Sequence, residues 1–210
     1  MSSDRTVLVT EPPIPLRQRK AQLTRDEILQ AARRLFAERG YARTSVRDIA
    51  QAAGVSTQTV YDSIGSKQAL VARLNDLIDA EAGIGAIAGR AASSTDPAEV
   101  VSATARVSRA LIEHCGDILH ALVSGAAAEP DLTAALDEGQ RRHLRGAAMI
   151  VGRLHDLGAL SPDLDQAAAI DTLAVLSDVR FALMLRESYG WSLDRIEAWI
   201  TEASRTLLLP

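Results

Sequence analysis

Between Thr44 and Lys67 the chain reads Thr-Ser-Val-Arg-Asp-Ile-Ala-Gln-Ala-Ala-Gly-Val-Ser-Thr-Gln-Thr-Val-Tyr-Asp-Ser-Ile-Gly-Ser-Lys, which leaves room only for two very short helices with a tight break between them. Ser45, followed three residues on by Asp48, is a capping box that starts a helix at Val46. Gly54 supplies the left-handed residue that ends it, and Ser56 caps the next one. Ile49, Ala50 and Ala53, with Val55 in the turn and Val60 beyond it, give the small apolar contacts that let two helices cross steeply. The spacing therefore predicts a helix-turn-helix, with Thr57, Gln58 and Thr59 outward at the start of its second helix.

Short polar side chains in that position suit a reader of the DNA major groove, where base edges are met by hydrogen bonds and methyl contacts. The competing reading of the triplet alone is a solvated helix start. From Ile28 to Leu70 the pattern Ile-Leu-Gln-Ala-Ala-Arg-Arg-Leu-Phe-Ala-Glu-Arg-Gly-Tyr, then Thr-Ser-Val-Arg-Asp-Ile-Ala-Gln-Ala-Ala-Gly-Val-Ser, Val-Tyr and Lys-Gln-Ala-Leu closely resembles the DNA-binding domain of TetR-type transcriptional regulators. The resemblance implies base contacts from Arg47, Thr57 and Gln58. It implies phosphate contacts from Ser45, Thr59, Tyr61 and Lys67, the last at the start of a helix capped by Ser66, whose amide donors and dipole favour an anion. Ser63 and Ile64 depart from the family pattern, which has an aromatic or His at the first position and Phe at the second.

Charge agrees with contact at one end only. Residues 1–70 carry 11 Lys+Arg against 7 Asp+Glu, a net of +4, whereas residues 71–210 carry 12 against 20, a net of −8. A basic module on an acidic body is drawn to phosphates by the module and repelled by the rest. No uncharged run, Ile118 to Ala128 included, reaches the roughly 18 residues of a membrane span, and the N-terminus makes a poor signal peptide. Together with the single cysteine, Cys115, these features favour the cytoplasm.

Three units are expected. Residues 1–23, with Pro12, Pro13 and Pro15 and then Arg17, Arg19 and Lys20, read as a disordered arm with a basic end, either a solvated tail or an arm that touches the DNA backbone or adjacent minor groove. Residues 24–70 form the helix-turn-helix domain, opened by Thr24 with Glu27 and stopped first at Gly40. Residues 71–210 form a helical body. Gly83, Gly85 and Gly89 weaken its first helix, either as a hinge or as fraying before a linker at Ser93-Ser94. Further helices are expected from Asp96-Pro97 to about His114, from Asp117 to Gly125, from Pro130 or Asp131 to about Asp156, from Ser161-Pro162 to about Ser188, and from Ser192 to Leu208. The fold class is all-α, with about nine helices and no strand.

The last two helices carry apolar stripes, of which Leu173, Leu176, Leu183, Ile196, Trp199, Ile200 and Ala203 are the candidate homodimer face. Packing within the chain is the alternative, and the resemblance implies the dimer. It also implies a small-molecule effector in the body. All seven aromatic residues lie outside residues 62–180, so the effector is expected to be largely aliphatic or neutral, since planar cations rely on aromatic faces. Leu111, His114, Arg145, Leu154, His155, Asp171 and Phe181 are the candidate pocket. His114, His120, His143 and His155 have no ligand spacing, Ser124 lacks a nucleophile elbow, and Asp171 with Asp178 reads as a solvated stripe, so no metal, cofactor or catalytic residue is expected. The function that follows is a ligand-responsive, sequence-specific regulator, a repressor released from a pseudo-palindromic operator. Two alternatives remain: control by a protein partner, or a helical enzyme or carrier with a regulatory DNA-binding module.

Overall fold

The structure, a computed structural model, describes residues 15–210; residues 1–14 of the expected arm lie outside the described residues. Ten helices follow one another with no strand among the described residues: α1 (Leu16–Arg39), α2 (Val46–Ala52), α3 (Thr57–Ser63), α4 (Lys67–Glu81), α5 (Ile84–Ser93), α6 (Pro97–Gly125), α7 (Pro130–Asp156), α8 (Gln166–Leu176), α9 (Val179–Glu187) and α10 (Leu193–Leu208). None is long and apolar enough to cross a membrane.

Four boundaries differ from the sequence reading, each for a local reason. The first helix begins at Leu16 rather than Thr24, so Arg17, Arg19 and Lys20 are helical. Nothing after Pro15 breaks the helix, and the Thr24 hydroxyl donates back to the Lys20 carbonyl at 3.1 Å instead of capping. Residues 84–93 form a helix of their own after Gly83, which is left-handed at φ 62°, because Ile87 and Ala91 are buried. The segment 97–125 is one helix. Ile112, Cys115, Ile118 and Leu119 are all buried, which outweighs the roughly 1 kcal/mol that Gly116 costs a helix interior. The expected 162–188 helix is two, because the Ser177 hydroxyl donates to Leu173 O at 2.6 Å, the Ser108 hydroxyl donates to Ser177 O at 2.9 Å, and Asp178 caps α9.

Two apolar clusters divide the interior. The larger runs without a break from the N-terminal helices (Ile28, Phe36, Ile49, Val60, Leu70) into the body (Ile112, Cys115, Ile118, Leu132, Ile196, Ile200). The smaller joins α5, α6, α7, α8 and the end of α10 through Ile87, Val101, Ile150, Leu154, Leu173 and Leu208. A motion of α4, which belongs to the first cluster, is thereby felt in both halves of the molecule.

Candidate nucleic-acid interface and ligand cavity

From Ser45 to Ser66 every local signal is formed. The Ser45 hydroxyl and amide donate to the Asp48 carboxylate at 2.6 and 2.8 Å and hold its pKa below the ordinary value, while the Asp48 amide donates to the Ser45 hydroxyl at 3.1 Å. Gly54 is left-handed at φ 68°. Ser56 accepts the Thr59 amide at 3.0 Å, and Ser66 accepts that of Ala69 at 3.2 Å. Ile49 and Val60 are fully buried, and Ile64 fills a core slot. This packing leaves Ser45, Arg47, Gln58 and Tyr61 exposed, with Thr57 and Thr59 half-buried beside them. Gln58 is steadied by an Asp62 carboxylate 2.8 Å away, one turn on, and the Thr59 hydroxyl lies 2.8 Å from that of Ser56.

Lys67 is placed differently from the others. Its ammonium donates to the Tyr41 carbonyl at 2.5 Å and lies 3.7 Å from the centre of the Tyr41 ring. Burial pulls its pKa down, opposed by Glu129 and Asp131. The Tyr41 hydroxyl in turn donates to Asp131 at the start of α7. The side chain is thus held on Tyr41 within the module, and Tyr41 in turn reaches the body, rather than standing free at the helix start.

A second junction is ionic. Arg33 of α1 donates to Glu81 at the end of α4 at 2.9 Å, to Asp117 of α6 at 2.9 and 3.1 Å, and to the His114 carbonyl at 2.9 Å. Gln30 adds a bond to Glu81 at 2.8 Å. The Cys115 thiol faces the same carboxylate, and burial raises its pKa to about 12, so it stays protonated.

From these junctions α4 runs to a cavity of about 190 Å³ between the two apolar clusters. Ile78, Ile84, Ile87, Val107, Leu111, Leu119, Leu122 and Ile150 form most of its wall, and Asn75, Asp79, Gln140, Arg142, His143 and Arg180 bring polar groups to it. Of the seven residues named as the candidate pocket only Leu111 lines this cavity. His114, Arg145, His155 and Asp171 are exposed because they face away from the α6–α7 seam; Leu154 is sealed inside the smaller cluster; Phe181 packs on Trp199 with ring centres 5.6 Å apart. The signal that was missed is Gly139 and Gly146, two glycines in the interior of α7, seven residues apart, that flank His143 on the cavity wall. Each costs about 1 kcal/mol of helix stability relative to Ala, and what it gains is space.

The chain matches the family model described as "Bacterial regulatory proteins, tetR family" over residues 28–74, the segment that forms the helix-turn-helix and the first half of α4. Residues 28–74 are a TetR-family segment. Among curated relatives the chain is 36% identical over 70 residues, 33% of each chain, to the HTH-type transcriptional regulator AlkX of Mycobacterium tuberculosis. The chain thus spans about a third of the length of that relative. The TetR-family fold extends over both halves. A TetR-family regulator from Mesorhizobium loti superposes with a TM-score of 0.71 at 22% identity, covering 91% of this chain and 99% of the other. SmeT, a repressor from Stenotrophomonas maltophilia, superposes in its triclosan complex with a TM-score of 0.70 at 21% identity, covering 90% and 93%.

The expected dimer face is partly internal. Leu173, Leu183, Ile196 and Ile200 are at most 6% exposed and cannot meet a second copy. The α10 stripe turns inward against α6, because that long helix offers the nearest apolar surface. Leu176 and Ala203 are half-buried and Trp199 is 38% exposed, with Val175 at 70% and Leu207 at 51% on the same two helices.

Proposed function

We propose that this chain is a homodimeric, ligand-responsive transcriptional regulator, a repressor that leaves a pseudo-palindromic operator when a small molecule occupies the body. The observation that carries this reading is α4, which starts beside the helix-turn-helix at Ser66 and Lys67 and ends as one wall of the cavity at Asn75, Ile78 and Asp79. One rigid element thereby touches both sites. A ligand shifts the equilibrium only by its preference for the state in which two reading heads no longer match their half-sites.

In this reading residues 24–70 are the DNA-binding unit and residues 71–210 the effector and dimerisation unit. Arg47, Thr57 and Gln58 read bases, while Ser45, Thr59, Tyr61 and Lys67 hold phosphates. The exposed, polar start of α3 supports that division, and for Lys67 the ammonium must leave Tyr41 to reach the backbone. The dimer forms through α8 and α10 at Leu176, Trp199 and Ala203, with the exposed Val175 and Leu207 in place of the four buried residues. The effector is small and largely aliphatic or neutral, consistent with a cavity without a Phe, Tyr or Trp wall, and the SmeT–triclosan complex supports small-molecule binding by a protein of this fold.

The test is selection of bound sequences from random duplex DNA with the full chain. The reading requires a two-fold site whose half-sites lie a whole number of helical turns apart. Enrichment of unrelated or single-site sequences would defeat it.

A further inference from the structure

The wall of the cavity pairs nearly all of its polar groups within the protein, and the few left over define what it takes. Arg142 donates to Asp79 and Asp76 at 2.7 Å and to Glu138 at 3.0 Å, and Glu138 also pairs with Arg141 at 2.9 Å and Arg145 at 3.3 Å. That cluster balances three carboxylates against three guanidiniums. Arg180 is neutralised by Asp178 at 2.6 Å and donates to the Gln140 carboxamide oxygen at 3.0 Å. A charged ligand would therefore enter an apolar space with no opposite charge to meet it, which is costly.

Hydrogen-bonding capacity does remain. Asn75 is 8% exposed, and its amide nitrogen donates to the Ala135 carbonyl at 2.9 Å. Because a carbonyl only accepts, this contact fixes the orientation of the carboxamide. Its oxygen has no hydrogen-bond donor among the described residues and lies against Gly139, where a Cβ would stand 3.5 Å away. One turn along α7, His143 bonds the Ala174 carbonyl through Nε2 at 2.9 Å, so in the neutral ring Nδ1 is a second acceptor. The Gln140 amide nitrogen is a donor with no acceptor among the described residues, so the wall leaves two acceptors and one donor, and a hydroxyl serves both kinds. Gly146 completes the space, since a Cβ there would meet nothing within 4 Å.

We infer that the cavity binds an uncharged, aliphatic alcohol, its hydroxyl donating to the Asn75 carboxamide oxygen beside His143 and its hydrocarbon body lying along Ile78, Ile87, Leu119, Leu122 and Ile150. This rests on the effector reading above and names the chemistry of the same site. A hydroxyl satisfies a buried acceptor that an ether leaves unpaired, whereas a carboxylate or an ammonium brings a charge that the balanced wall does not match.

The experiment is isothermal titration of the full chain, without DNA, using octanol and cyclohexanol, their methyl ethers, octanoate and octylamine. At least one alcohol should bind about tenfold or more tightly than its ether, octanoate and octylamine should bind more weakly than octanol, and Asn75→Leu should bring alcohol down to the level of ether. Gly146→Leu, which fills the chamber, should abolish binding of every compound. Equal affinity of alcohol and ether, or stronger binding of octanoate or octylamine, overturns the alcohol assignment while loss of that binding in Gly146→Leu keeps the cavity as the effector site. Alcohol binding that survives Gly146→Leu overturns both, and failure of both alcohols to bind overturns the assignment. The alcohol and ether comparison uses the wild-type chain and does not depend on either variant folding.

Discussion

The Lys67 ammonium donates to the Tyr41 carbonyl at 2.5 Å and caps the face of the same residue's ring at 3.7 Å. One side chain thus makes a hydrogen bond and a cation–π contact to Tyr41, the residue whose hydroxyl reaches Asp131 of the body, and the same charge is the phosphate anchor proposed above. These roles compete for a single ammonium. Lys67→Met keeps the hydrocarbon stem and removes the charge. It is expected to weaken operator and random DNA alike and to lower the slope of log K against log salt by about one. An unchanged slope in fluorescence anisotropy would mean that the ammonium stays on Tyr41 when DNA binds.

Gln58 is expected to behave in the opposite way. It is exposed and steadied by Asp62, so Gln58→Ala should cost roughly 1–3 kcal/mol on the operator and little on random duplex. Equal losses on both in the same anisotropy assay would move Gln58 from the base readers to the backbone contacts.

What was legible in the sequence was what depends on neighbours in the chain. Ser45 with Asp48, Gly54, Ser56 and Ser66 each act within about four residues, and each is formed as read. Partners chosen across the fold were not legible. Ile196 and Ile200 announce an apolar stripe, but only the position of α6 decides that the stripe is interior. His114 and His143 look alike in sequence; one is exposed while the other lines the cavity, because α6 and α7 present different faces to α4. The cavity itself had one local sign, a pair of glycines in a helix otherwise suited to larger residues.

Arg33 ties three helices with one guanidinium, and its side chain is only 12% exposed. Arg33→Ala leaves Glu81 and Asp117 without their partner. Since Asp117 is half-exposed and regains water, the loss is expected at about 2–3 kcal/mol, short of that for a fully buried pair. Arg33→Lys should recover little of it, because a point charge cannot hold Glu81, Asp117 and the His114 carbonyl together. Urea denaturation checks both, and full recovery by Lys would reduce the clamp to simple charge attraction.

Acid should act through Glu138. Hydrogen bonds from Arg142 and Arg141 lower its pKa from 4.5 to about 2. A carboxyl whose folded pKa lies below its unfolded one stabilises the fold above the unfolded value, and this contribution is lost as pH falls through the folded one. The melting temperatures of wild type and Glu138→Gln should therefore differ most above about pH 5 and converge as pH falls towards 2. A gap that stays constant over that window would assign the loss to packing instead.

Burial separates the two halves of the expected dimer face, and so should mutation. Ile200 is fully buried, so Ile200→Ala should cost about 2–5 kcal/mol in stability without changing the assembly. Val175 is 70% exposed on α8, and Trp199, braced by Phe181 and Trp191 with ring centres 5.6 and 6.2 Å away, presents a rigid aromatic edge on α10. Rigid aromatics at a half-exposed site suit an anchor, because little side-chain entropy is lost when they are covered. A charge at either position would be buried unpaired in the dimer but solvated in the monomer. Val175→Glu and Trp199→Glu should each halve the mass seen by light scattering, leave helical circular dichroism intact and abolish operator binding. Dimers that persist in both variants at micromolar concentration would place the two-fold axis on another face of the body.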